Sequence, residues 1–158
     1  MNITVLTVGK LKEKYFKDAV SEYVKRLSRF GKTEIIELPD EKIPDNVSEK
    51  QAEQIKIKEG KNILSHLKNN TYFITLCVEG NELSSEEIAE KINTLSMRTA
   101  HITFAIGGSL GLSDEVKKAS PLRLSFGKIT LPHQLIRVVL LEQIYRAFKI
   151  NANETYHK

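Results

Sequence analysis

The apolar positions of the chain change period in a regular way. Residues 2–8 (NITVLTV) are an almost unbroken β-branched and apolar run, as expected of a strand buried on both faces. Over 13–29 the positions Tyr15, Phe16, Ala19, Val20, Tyr23, Val24 and Leu27 recur at helical spacing, and Gly31 offers a stop. A second strand is predicted over 33–38 (TEIIEL), then a loop over 39–46 punctuated by two prolines. A helix with a Lys- and Glu-rich polar face follows over 48–67, and a third strand over 72–78 (YFITLCV). Ser84 or Ser85 caps a helix running to about Met97, and Ser84 with Glu87 has capping-box spacing. HITFAI (101–106) is a fourth strand, 114–119 a short helix, and LRLSF (122–126) a fifth strand. There is no repeat or low-complexity tract.

The last helix, 133–150, departs from the amphipathic pattern. Leu135, Ile136, Val138, Val139, Leu140, Leu141, Ile144, Tyr145, Phe148 and Ile150 cover nearly its whole circumference. A helix apolar all round is buried all round. One side can lie on a sheet, and a second copy of the chain across a two-fold axis is the simplest cover for the rest.

Strands and helices in strict alternation specify an α/β fold: a mostly parallel five-stranded sheet with helices on both faces, in a single domain over 1–158. Ligands of such sheets bind beyond the carboxyl ends of the strands. That selects the loops after Val78, Ile106 and Phe126.

Composition narrows the class. The 158 residues are 41% apolar and 28% charged, an ordinary globular balance. No apolar run has the length of a membrane span, and the first residues read as a strand, not a signal peptide. The single cysteine, Cys77, allows no internal disulfide and fits a reducing cytoplasm. His66, His101, His133 and His157 are too scattered for a metal site. The net charge of +4 is unevenly spread: +5 over 1–32, −7 over 33–116 and +6 over 117–158. Basic ends around an acidic middle suit a polyanion partner, most simply nucleic acid.

The most telling loop is GGSLGL (107–112), three glycines in five positions after a buried strand. It permits close approach of a ligand to the backbone, or simply a tight turn. A dinucleotide fingerprint would follow the first strand, where VGKLKEK has one glycine. A phosphate-binding loop of the GxxxxGK[ST] kind is also excluded, since GKIT lacks the earlier glycine. His133 and Arg137 share one face near a helix N-terminus, where anions are favoured. A helix-start hydrogen bond for His133, and ion pairs of Arg137 and Arg146 with Glu142 across a dimer, account for the same residues.

VGKLKE after the first strand, ITL at 74–76, IGGSLGL at 106–112, LSFGKITLPHQLIRVVLLEQIYRAFKI at 124–150 and YHK at 156–158 together resemble one family over essentially the whole chain. It is that of the bacterial ribosomal RNA large-subunit methyltransferases acting on pseudouridine at N3, minimal members of the SPOUT (α/β-knot) class. The resemblance implies a C-terminal trefoil knot, a homodimer, S-adenosyl-L-methionine as methyl donor, and 23S ribosomal RNA in the large subunit or ribosome as substrate. It assigns cofactor binding to Leu76, Gly107, Gly108, Phe126, Gly127, Lys128, Ile129, Thr130 and Leu131. It assigns substrate and catalytic roles to His133, Arg137, Arg146, Tyr156 and His157. Arg137 and Arg146 are expected to bind phosphate or oppose charge on the base, and Tyr156 to stack on it. The proton acceptor is His157, an activated Tyr156, or water. Two departures stand out: Leu110 occupies a loop position where relatives often carry a polar or acidic residue, and Asn153-Glu154-Thr155 replaces a stretch often holding glycine and proline. The alternatives are a tRNA ribose methyltransferase of the same fold and a non-catalytic ribosome-binding factor.

Overall fold

The computed structural model describes residues 1–157. Lys158, the last residue of the YHK motif, lies outside them. Strands β1 (Asn2–Val8), β2 (Thr33–Leu38), β3 (Thr71–Glu82), β4 (His101–Ile106) and β5 (Leu122–Ser125) alternate with helices α1 (Lys14–Leu27), α2 (Glu49–Ser65), α3 (Ser85–Ser96), α4 (Asp114–Ala119) and α5 (His133–Asn151). The sheet runs β2-β1-β4-β3-β5, and each of its pairings is parallel. A parallel sheet must be covered on both faces. Helices α1 and α3 flank α5 on one face, and α2 packs with α4 on the other.

The alternation of side chains along β1 explains its apolar run. Ile3 and Val5 enter the core that holds α5, whereas Leu6 and Val8 enter the core under α2 and α4. The helices start where their side chains satisfy the free N–H groups. Ser48 with Gln51, and Ser84 with Glu87, form complete capping boxes. Ser113 caps α4 through the Val116 N–H.

Helix α5 is less naked than its composition suggests. Leu140, Leu141 and Ile144 are at most 1% exposed, each contributing about 1.5–3 kcal/mol by leaving water. Tyr145 and Phe148 are covered by Tyr23 and Phe30 from the α1 side. Gln143 and Asn151 bond to Ser85 and Ala89 of α3. Leu135, Val138 and Val139 form a partly exposed apolar stripe, with Val138 at the edge of the core.

Strand β3 runs four residues past the predicted end at Val78. Leu76 and Asn81 both lie opposite Leu124, so residues between them bulge from the ladder. The bulge stands at the carboxyl end of the sheet, beside the loops that follow β4 and β5.

No helix among the described residues is long and apolar enough to cross a membrane. Nor do those residues contain a group of three His, Cys, Asp or Glu that could hold a metal ion.

Candidate active site

The carboxyl ends of β3, β4 and β5 open into a cleft of about 630 Å³. Its apolar walls are Leu76, Ile106, Leu124, Phe126, Ile129 and Leu131, and its rim carries Lys56, Glu79 and Lys117. Eight of the nine residues expected to bind a cofactor line it: Leu76, Gly107, Gly108, Phe126, Gly127, Ile129, Thr130 and Leu131. The ninth, Lys128, is exposed and not part of the wall.

Backbone geometry shapes this cleft. The Gly111 N–H donates to the Gly108 carbonyl (3.0 Å) and closes the glycine-rich turn. A Cβ on Gly107 would stand 2.8 Å from the Gly111 carbonyl carbon. The absent side chain at Gly107 therefore serves the turn's own closure. Ser125, 2% exposed, couples the other two loops. Its hydroxyl lies 2.9 Å from the Val78 carbonyl and accepts the Gly127 N–H at 3.1 Å. Ser125, inside the 124–150 motif, and the bulge wall Cys77–Glu79, at the loop selected after Val78, were not singled out as site residues by the sequence. Burial, and then Glu79, push the Cys77 thiol up from its ordinary value, so it stands protonated in the cleft.

The five expected catalytic residues occupy three places. His133 lines the cleft where α5 begins. Burial and the neighbouring Arg137 guanidinium push its imidazole down, with Asp40 opposing; the ring is neutral at pH 7.

Arg137, one turn further on, is 1% exposed. It donates to Glu37 Oε2 at 2.9 Å and to the carbonyls of Gly9 (2.9 Å) and Val8 (3.3 Å). Its Nε has no partner among the described residues. The phosphate contact expected of Arg137 does not match this placement, because the guanidinium points into the protein and is engaged at the end of β1. Its partner is Glu37 rather than Glu142.

Arg146, Tyr156 and His157 gather at the far end of α5. Arg146 donates to Glu142 Oε1 (3.1 and 2.7 Å), an ion pair within one helix and not across an interface. The same guanidinium lies 4.7 Å from the Tyr156 ring centroid and donates to His157 Nδ1 at 3.2 Å. His157 Nε2 then donates to Glu86 (2.7 Å), and the Tyr156 hydroxyl to Glu142 (3.2 Å). Burial, Tyr23 and Glu142 push the Tyr156 phenol up to about 12. That direction is the reverse of the activation expected of Tyr156. The final segment, polar and short, is folded back on α5 by these contacts and by Glu154 with Arg29 and Lys149.

His133 and Arg146 are separated by more than three turns of α5, about 20 Å at 1.5 Å per residue. Cleft and tail cluster therefore do not meet within one chain. Along the helix axis the half-exposed stripe Leu135–Val138–Val139 lies between them, on the side of α5 that carries Arg146 and opposite the face of His133.

Comparison with known proteins gives the family and the fold. The family model described as predicted SPOUT methyltransferase matches residues 1–157. A Clostridium perfringens protein named ribosomal RNA large subunit methyltransferase H 1 is 60% identical over 159 aligned positions, covering all of both chains. A Bacillus cytotoxicus protein named ribosomal RNA large subunit methyltransferase H is 55% identical over the same full extent. Among solved structures, a probable methylase family protein from Haemophilus influenzae superposes with a TM-score of 0.53 at 13% identity, over 99% of this chain and 70% of that one. A putative methyltransferase from Legionella pneumophila with bound cofactor SAM gives 0.52 at 14% identity, over 94% and 66%. At such identities the two structures speak for the fold.

Proposed function

The chain belongs to the SPOUT methyltransferase family, and from that premise we propose that it transfers a methyl group from S-adenosyl-L-methionine to N3 of a pseudouridine in 23S ribosomal RNA of the large subunit. The observation that carries this reading is the cleft: three loops expected from the sequence to hold the cofactor converge on one apolar slot at the carboxyl end of the sheet.

The slot fits the proposed cofactor. Leu76, Ile106, Phe126 and Leu131 offer apolar surface to a flat base, and the turns at 107–112 and 126–131 offer backbone groups to its edges. At the rim Lys117 pairs with Glu79 and Lys56 with Glu53, pairs that a zwitterionic amino-acid end would have to exchange with. The sulfonium supplies an activated methyl, so much of the protein's task is alignment. The pseudouridine N3–H must also lose its proton. The Tyr156 phenol is shifted away from accepting a proton and the His157 Nδ1 lone pair already accepts from Arg146, so water is the acceptor of the expected set that this arrangement leaves free. Neutral His133 is placed to orient the base by a hydrogen bond.

A homodimer unites the dispersed residues. A two-fold axis crossing α5 near Val139 would bury the Leu135–Val138–Val139 stripe against its own copy. With the helices antiparallel, the partner subunit's Arg146, Tyr156 and His157 would stand over the cleft that holds His133. Tyr156 and Arg146 would then stack on and bind the extruded nucleotide. We extend the proposal to the trefoil knot. Strand β5 lies at the sheet edge beside β3, yet α5 begins next to Gly9 at the end of β1. The intervening 126–132 segment must cross the mouths of β3 and β4. The reading carries with it a cytoplasmic location and a single domain over 1–158.

The test is transfer of labelled methyl from S-adenosylmethionine to large subunits isolated from cells lacking this protein, with tRNA as the parallel substrate. Labelling of the subunits alone is expected. Labelling of tRNA would favour the ribose-methylating alternative. Subunit binding without cofactor binding would favour the non-catalytic one.

A further inference from the structure

Arg137 and Glu37 occupy their places at a physical cost. Sequestering a guanidinium is unfavourable unless its partners compensate, and here Nε is left unpaired. What the pair organises is the turn after β1. Arg137 grips the carbonyls of Val8 and Gly9. Glu37 Oε2 receives both Arg137 and the Leu11 N–H, the latter at 2.7 Å. The Gly9 N–H donates to Leu38 (2.8 Å), and Gly9 takes φ +92°, a conformation L side chains rarely adopt. Leu11 is tucked in at 9% exposure. Residues 9–11 are thus fixed by a network of the buried Arg137 and the partly exposed Glu37.

The outward side chains of this fixed turn are Lys10 and Lys12, both exposed. Among the described residues neither has a carboxylate partner, whereas Lys14, the next lysine, is paired with Asp18. The turn lies beside the cleft. The Cβ position of Gly9 is 3.9 Å from His133 Nε2, and from Asp40 beneath. Lysines that serve only solubility need no such anchoring. Two unpaired lysines at a set spacing, beside the mouth of the proposed methyl-transfer cleft, suit phosphates flanking the target nucleotide.

We propose that the Gly9–Lys12 turn is a second RNA-binding element, with Lys10 and Lys12 contacting the phosphate backbone and the Glu37–Arg137 pair holding them in position. This rests on the reading of the cleft as a site of RNA methylation.

The experiment compares wild type, Lys10→Gln/Lys12→Gln and Lys10→Arg/Lys12→Arg on unmethylated large subunits, by equilibrium binding over a range of KCl concentrations and by methyl-transfer kinetics. For the Gln pair we expect subunit Kd and KM to rise about tenfold or more. The slope of log Kd against log salt should become shallower by roughly 1–2. Its kcat and S-adenosylmethionine affinity should stay at wild type. The Arg pair should keep the wild-type slope. Wild-type affinity and slope in the Gln pair would overturn the proposal, and so would an Arg pair that fails as the Gln pair does. Wild type that binds subunits without methylating them would remove the enzymatic reading alone, and the slopes would still decide the lysines. Wild type that does not bind subunits would remove both.

Discussion

Replacing Arg137 by methionine keeps an unbranched apolar stem in the buried site and removes the guanidinium. Three interactions go: the ion pair with Glu37 and the bonds to the carbonyls of Val8 and Gly9. A hydrogen bond to a charged group is worth about 1.5–3 kcal/mol net, and a buried carbonyl left unpaired costs about 1–3 kcal/mol. Two terms oppose the loss. Glu37 is 35% exposed and can take up water, and an apolar replacement avoids sequestering a charge whose Nε was unpaired. The balance is a destabilisation of about 3 kcal/mol, or a fall in Tm of roughly 6–12 °C for a chain of this size. Thermal and urea unfolding measure it directly. Arg137→Lys, able to reach Glu37 but not both carbonyls, should fall between. If Arg137→Met instead melts at the wild-type temperature and only raises KM for the ribosomal substrate, Arg137 is an RNA ligand and the inward network described above is wrong.

Other expected outcomes follow from the same contacts. Val139→Glu, on the half-exposed stripe, should convert a dimer seen by light scattering into a folded monomer; a dimeric variant would exclude that stripe. Leu140, at 1% exposure, would be the wrong position for this test, since a charge there disrupts the core. Mixing a cleft-defective variant (Phe126→Asp) with a chain lacking Tyr156–Lys158 should restore about a quarter of wild-type activity, because half the dimers then hold one intact composite site; no recovery in verified mixed dimers would place both halves in one chain. The Tyr156 phenol, raised to about 12 in the folded protein, stabilises the fold below its ordinary value near 10 and loses that contribution as pH rises toward 12. Ultraviolet titration should therefore show a late tyrosine phase, absent in Tyr156→Phe. That variant should also keep the wild-type shape of the activity–pH profile between about pH 6 and 9, whereas a lost acidic or basic limb would make the phenol the proton carrier.

Much of this architecture is local in origin and so was legible in the sequence. The runs 2–8, 33–38 and 101–106 became strands with those same bounds, and Ser84 caps α3 through Glu87 as its spacing implied. The cleft could be located because a parallel sheet leaves its ligand loops at one end. What could not be read depends on partners distant in the chain. Arg137 finds Glu37 a hundred residues away, so an arginine on an apolar helix was indistinguishable from a substrate ligand. Strand β3 continues past a bulge into the polar residues Gly80-Asn81-Glu82, where no alternation remains to signal it. Gly31 seemed a helix stop, but α1 ends at Leu27 and a Cβ on Gly31 would overlap the Met1 carbonyl oxygen. The path of the tail carried no local signal because its anchors, Glu142, Arg146 and Glu86, lie on other elements.

Nucleoside mass spectrometry of 23S ribosomal RNA, from cells lacking this protein and from the same cells with it restored, tests the central claim most directly. A methyl group on the base of one pseudouridine, absent in the deletion and regained on complementation with the wild-type chain but not with the Phe126→Asp cleft variant, is the predicted result. An unchanged nucleoside profile, or a restored methyl found on a ribose, would contradict it.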